Sequence, residues 1–192
     1  VPTIASEFTA QGVLHIWMGW DHLAFVLCVC LLARGRELIG LVTAFTAGHS
    51  VSLALAFFEV VRVPVPPVEA AIALSIAFMA REALIAGRNG DLPADLRRHL
   101  VVVVLFGLLH GLGFATALSE LGVGEGERLP GLIFFNVGVE IGQLVFVAAV
   151  AATMAVLRGF AVAAPVRAVA LYGVGALGCF WMVERVSGFA VA

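Results

Sequence analysis

The segment LIGLVTAFTAGHSVSLALAFF, residues 38–58, runs for 21 residues without a formal charge and stops at Glu59. An apolar run of about 20 residues is what a helix needs to cross the roughly 30 Å hydrocarbon core of a bilayer. The rest of the chain repeats the pattern. Apolar runs cover about 12–33, 38–58, 68–86, 99–118, 131–157 and 166–183, and charged or turn-forming stretches separate them. Lipid tolerates no open sheet edge, so these runs are read as helices. The alternating ten-residue strands of a barrel are not seen. The expected fold is all-α: a polytopic membrane protein with six transmembrane helices in one domain over residues 1–192. Pro64, Pro66 and Pro67 are read as a connector that cannot continue a helix. Asn89-Gly90-Asp91 and Pro93 mark a turn.

Composition agrees. Of 192 residues, 62% are hydrophobic and only 12% charged, where a soluble domain would carry about 25% charged residues. A net charge of −2 offers nothing to a nucleic acid, and no nucleotide-binding motif is present. All 11 cationic side chains are Arg, so no Lys exists to hold retinal as a Schiff base. Cys28 and Cys30 are two apart and point to nearly opposite sides of a helix. With Cys179 they read as apolar packing. The opening Val1-Pro2 lacks Met and a basic n-region, so a removed leader is plausible.

Arginine sets the expected orientation. Arg34, Arg36, Arg81, Arg88, Arg97, Arg98, Arg158 and Arg167 fall on one side, and Arg62, Arg128 and Arg185 on the other. The first group belongs in the cytoplasm, with both termini outside. The outer loop carrying Glu120, Glu125 and Glu127 reads as a solvated loop that could also attract cations.

Against this apolar background, Asp21, His22, His49, His110 and Glu140 stand out. At about 1.5 Å of rise per residue, each lies roughly 12–15 Å from the outer end of its span. Each costs about 2.5–3.5 kcal/mol to insert alone. Three imidazoles and two carboxylates are donors for a divalent cation of the first transition row. The alternative is a polar cluster that pins helices together. No Arg is expected near them, so a cation is the expected counter-charge. Asp21 and His22 diverge by about 100° on a regular helix, and both can be ligands only if the chain unwinds locally, which Gly19 permits. His15 lies seven residues before His22 on nearly the same face, about 10 Å away. With Met18 and Glu69 it reads as an approach path rather than part of the same site. His15 also suits an interfacial position, Met18 plain packing, and Glu69 the favourable dipole of a helix N-terminus.

Asn136, Glu140 and Gln143 share a helix face. Asn136, Gln143 and Thr46 are read as support for the ligands or as glue between helices. Thr46, Ser50 and Ser52 are expected to bond their own helix carbonyls. Gly107-x-x-x-Gly111 and Gly138-x-x-x-Gly142 are small-residue faces for close helix packing. The G-x-x-H matches ending at His22 and His110 hint at a three-plus-three inverted repeat. The sixth span, without an ionisable residue at depth, is expected only to pack.

The stretches His15-Ile-Trp-Met-Gly-Trp-Asp21-His22, Phe45-Thr-Ala-Gly-His49-Ser50, Phe106-Gly-Leu-Leu-His110-Gly and Phe135-Asn-Val-Gly-Val-Glu140-Ile-Gly-Gln143 resemble the HupE/UreJ family of bacterial inner-membrane proteins. The resemblance implies a secondary permease for nickel or cobalt that supplies hydrogenase or urease maturation. His15, Asp21 and His22 match its first-helix motif. Ile16 stands where the family often has Pro, which places the chain nearer a second branch. The related thiol-electron carriers need paired cysteines that are missing.

A permease is therefore the leading expectation, with the metal (nickel, cobalt or zinc) as bound ion or substrate. The runner-up is an intramembrane zinc hydrolase, with three histidines and a carboxylate leaving one position for water. It lacks the H-E-x-x-H signature. A metal sensor or scaffold is the third reading. Expected partners are the bilayer and the metal ion. A homo-oligomer is left open.

Overall fold

The structure is a computed structural model that describes residues 3–88, 96–119 and 125–190. It contains seven α-helices: α1 Ile4–Met18, α2 Trp20–Leu32, α3 Gly35–Phe57, α4 Val65–Arg88, α5 Leu96–Ser119, α6 Arg128–Gly159 and α7 Ala163–Ala190. No strand occurs among the described residues. Helices α3 to α7 are each long and apolar enough to cross a membrane, and α1 with α2 have the length and apolarity of a sixth span only when taken together, as a broken span or a re-entrant pair.

That break is the main departure from the expected helices. The run at 12–33 is not one rod but two helices bent by 75°, with Gly19 as C-cap of α1 and N-cap of α2. The last span is also longer than 166–183, and its extra turns carry Arg185. Pro66 and Pro67 lie inside the first turn of α4 rather than in a connector. Backbone N–H groups in a first helical turn have no intrahelical acceptor, so proline costs nothing there. Pro130 and Pro165 use the same allowance in α6 and α7. The turn at Asn89-Gly90-Asp91 and Pro93, and Glu120, lie outside the described residues. Glu125 lies in a short 3₁₀ turn and Glu127 is the N-cap of α6.

Two contacts of α7 fix the helix directions. Near its start, Arg167 donates to the carbonyls of Leu31 (3.0 Å) and Ala83 (2.5 Å). Near its end, Arg185 reaches Asp21 and the carbonyl of Glu69. Helices α2 and α4 therefore run together, and α7 runs against them. Helix α1 lies along α6, with Gly12 against Gly138 and Val13 and Ile16 against Gly142.

The small-residue faces do what their spacing predicts. A Cβ on Gly107 would stand 2.3 Å from the Phe45 carbonyl oxygen, and one on Gly111 2.3 Å from that of His49. Gly48 approaches Val104 in the same way from the α3 side. Backbone contact at this range is what locks α3 onto α5.

The main apolar core joins α2, α3 and α4 around Phe25, Leu41, Phe45, Ile76 and Met79. A smaller one, with Ile16, Leu53 and Phe135, holds α1 against α3 and α6. Val169, Tyr172, Phe180 and Val183 of α7 face outward, as lipid-facing side chains should. Cys28 is buried in the core, and all three cysteines are free.

Candidate metal-binding site

Four helices each bring one histidine to a common point. The ring centres of His15 (α1) and His22 (α2) are 4.5 Å apart. His22 is 5.0 Å from His110 (α5). His49 (α3) is 5.7 Å from both His15 and His22. The separation of about 10 Å expected between His15 and His22 does not hold. The bend at Gly19 folds α2 back, so two residues a regular helix would hold two turns apart have touching rings.

Phe25 and Phe45 pack against His110, and Phe135 against His15. His22, His49 and His110 are buried. His110 Nδ1 lies 2.8 Å from the Phe106 carbonyl oxygen. The carbonyl can only accept, so Nδ1 carries the proton and Nε2 presents its lone pair. That Nε2, His22 Nε2 and both ring nitrogens of His49 are buried without a hydrogen-bond partner among the described residues. Leaving a buried polar atom unsatisfied costs about 1–3 kcal/mol.

A cavity of about 510 Å³ opens beside the rings, lined by His15, Met18, Asp21, His22, Glu69 and His110 among others. The residues read as an approach path thus share one space with three of the expected ligands. His49 stands behind it. Asp21 is not free to serve a cation alone: Arg185 Nη2 donates to its Oδ2 at 2.9 Å. The expectation that no arginine comes near is therefore wrong. Arg185 looked like a loop residue because the apolar run of the last span fades before it, yet α7 continues through it. Asp21 Oδ1 remains buried, with no hydrogen-bond partner among the described residues.

Glu140 belongs to a different contact. Its Oε1 accepts from the Thr43 hydroxyl at 2.7 Å. Thr46 Oγ1 lies 2.9 Å from Gln143 Oε1, and Ser50 Oγ lies 2.6 Å from Asn136 Oδ1. The polar stripe of α6 is thus laid against α3 as a ladder of side-chain bonds, the glue reading of that stripe. Thr46, Ser50 and Ser52 also bond carbonyls of their own helix, as expected. Glu140 Oε2 and Gln143 Nε2 stay buried and have no hydrogen-bond partner among the described residues.

Sequence reasoning passed over a buried acid. Glu82 of α4 pairs with Arg81 (2.7 Å) and Arg98 (3.1 Å), with His99 Nε2 at 3.9 Å. Glu82 and His99 sit near the ends of apolar runs, where charges are ordinary, so nothing in their spacing singled them out. Among the described residues, no three His, Cys, Asp or Glu side chains converge closely enough to form a finished metal-ligand set.

Fold and cluster together define a polytopic membrane protein with a buried, histidine-lined cavity. The chain belongs to the HupE/UreJ family: the profile described as HupE / UreJ protein matches residues 2–185, nearly its whole length. Comparison with curated proteins and with solved structures gave no significant match.

Proposed function

We propose that the protein is a secondary permease for a divalent transition-metal ion, with nickel or cobalt as the preferred cargo. The family is associated with nickel and cobalt uptake, which supports metal transport at the level of the family. The observation that carries the reading for this chain is the convergence of His15, His22, His49 and His110 from four helices beside one cavity. Neutral imidazole nitrogens suit a first-row cation, and a cation would satisfy lone pairs that nothing among the described residues satisfies.

In this reading the ion enters where Glu69 and Met18 line the cavity. It passes His15 and is bound by His22 and His110, with His49 closing the site from behind. Asp21 supplies negative charge when it exchanges Arg185 for the metal. Glu140, bonded to Thr43, acts further along the path or as support. The arginine bias supports an orientation in an inner membrane with Arg34, Arg158 and Arg167 in the cytoplasm and both termini outside.

Binding is tested on the purified full chain. Incubation with nickel or cobalt, removal of free ion and elemental analysis should give retained metal near one equivalent. His22→Ala and His110→Ala should lower affinity by an order of magnitude or more. Retention unchanged in both variants would remove the cluster from the site.

A further inference from the structure

We propose that a second cavity, at the opposite end of the bundle from the histidines, binds a phosphate group, supplied by the headgroup of an acidic phospholipid. The cavity is about 220 Å³ and is lined by Arg34, Arg158 and Arg167 together with Leu38, Val150 and Met154, among others. A single water needs only about 10–15 Å³, so the space suits a polyatomic group. Among the described residues, its lining holds three guanidinium groups and no carboxylate.

The arginines are not used up by the protein. Arg34 and Arg158 are exposed and make no ion pair among the described residues. Arg167 spends Nε and Nη2 on the carbonyls of Leu31 and Ala83, which anchors its guanidinium at the cavity wall without cancelling its charge. Arg34 is also the N-cap of α3 and makes no side-chain cap bond. The first-turn amides at Gly35, on the same wall, add partial positive charge. Glu37, one turn along α3, does not line the cavity.

Three like charges around an empty space repel one another, and an anion removes that cost. Guanidinium matches phosphate geometry through paired N–H donors. The mixed wall favours a lipid source. Ala151 is exposed and Val150 and Met154 are half-buried, so the cavity opens along α6 towards the region an acyl chain would occupy. Basic pockets between transmembrane helices at the cytoplasmic side are a recurrent setting for acidic headgroups.

The test uses the full chain, delipidated and reconstituted in nanodiscs of phosphatidylcholine alone or doped with phosphatidylglycerol, with thermal unfolding as readout. Phosphatidylglycerol should raise the midpoint by about 2–4 °C, and native mass spectrometry should show it retained over phosphatidylcholine. Inorganic phosphate added to the phosphatidylcholine sample forms a second arm: a comparable rise there would assign the site to a free anion. Arg34→Gln with Arg158→Gln should abolish the effect by removing two of the three guanidinium groups, and neither side chain holds an ion pair among the described residues that the substitution would break. Arg36→Gln, a neighbouring charge outside the cavity, should keep it. No response to either phosphate source, or a response that survives the double substitution, overturns the proposal.

Discussion

Asp21 and Arg185 hold each other at 2.9 Å with about a quarter of each side chain exposed. A hydrogen bond to a charged group contributes about 1.5–3 kcal/mol, and this pair is shielded from water more than a surface pair would be. Arg185→Gln is expected to destabilise the protein by about 1–3 kcal/mol, because it strands the carboxylate. Combining it with Asp21→Asn should restore part of that loss, which thermal unfolding of the two single variants and the double variant would resolve. Equal, additive losses would show that the two side chains act independently. The pair also marks how far single residues were legible. Asp21, His22, His49 and His110 stood out because an ionisable group in an apolar run is conspicuous. Arg185 did not, because it follows the last apolar run and only the continuation of α7 brings it back onto α2. Glu140 was as conspicuous as the histidines. Its partner Thr43 is a hydroxyl one helix away, and no spacing rule along the chain connects the two.

The bend between α1 and α2 decides whether His15 belongs to the site. The glycine was visible in the sequence as a place where the helix could open, but the 75° angle was not. The angle comes from α1 packing along α6 while α2 packs along α4. A Cβ at position 19 would stand 2.7 Å from His22 Nδ1 and 2.8 Å from the His15 carbonyl. Gly19→Ala is therefore expected to push His15 and His22 apart and weaken metal retention by about tenfold, the lower end of what loss of ligand orientation costs. Retention equal to that of the unsubstituted protein would show the break to be unimportant. The glycine faces give a cleaner contrast. At Gly48 an added Cβ would sit 2.4 Å from the Val104 carbonyl oxygen, whereas at Gly40 nothing lies within 4 Å. Gly48→Ala should cost about 1–3 kcal/mol through forced separation of α3 and α5. Gly40→Ala should be neutral or stabilising by up to about 1 kcal/mol. Matching effects at the two positions would contradict the packing described for α3 and α5.

At the scale of the molecule, the apolar runs and the polar face of four of them were legible because lipid enforces a simple rule: long apolar runs become helices, and polar groups turn inward. Which helix lies beside which was not legible, since lipid-facing and partner-facing apolar residues look alike in a sequence. The four-histidine convergence depends on that neighbourhood. It requires α1 bent towards α2, with α3 locked to α5 by Gly48, Gly107 and Gly111. The same neighbourhood sets the electrostatic layout, with a histidine and carboxylate cavity at one end and an arginine-lined cavity at the other. The most direct measurement is the uptake of nickel or cobalt into proteoliposomes that contain the purified chain, read with a metal-sensitive dye trapped inside. The account predicts uptake above that of protein-free vesicles, abolished by His22→Ala and by His110→Ala and retained in Gly40→Ala. Uptake that persists unchanged without both histidines, or metal that binds tightly and never crosses, would contradict it.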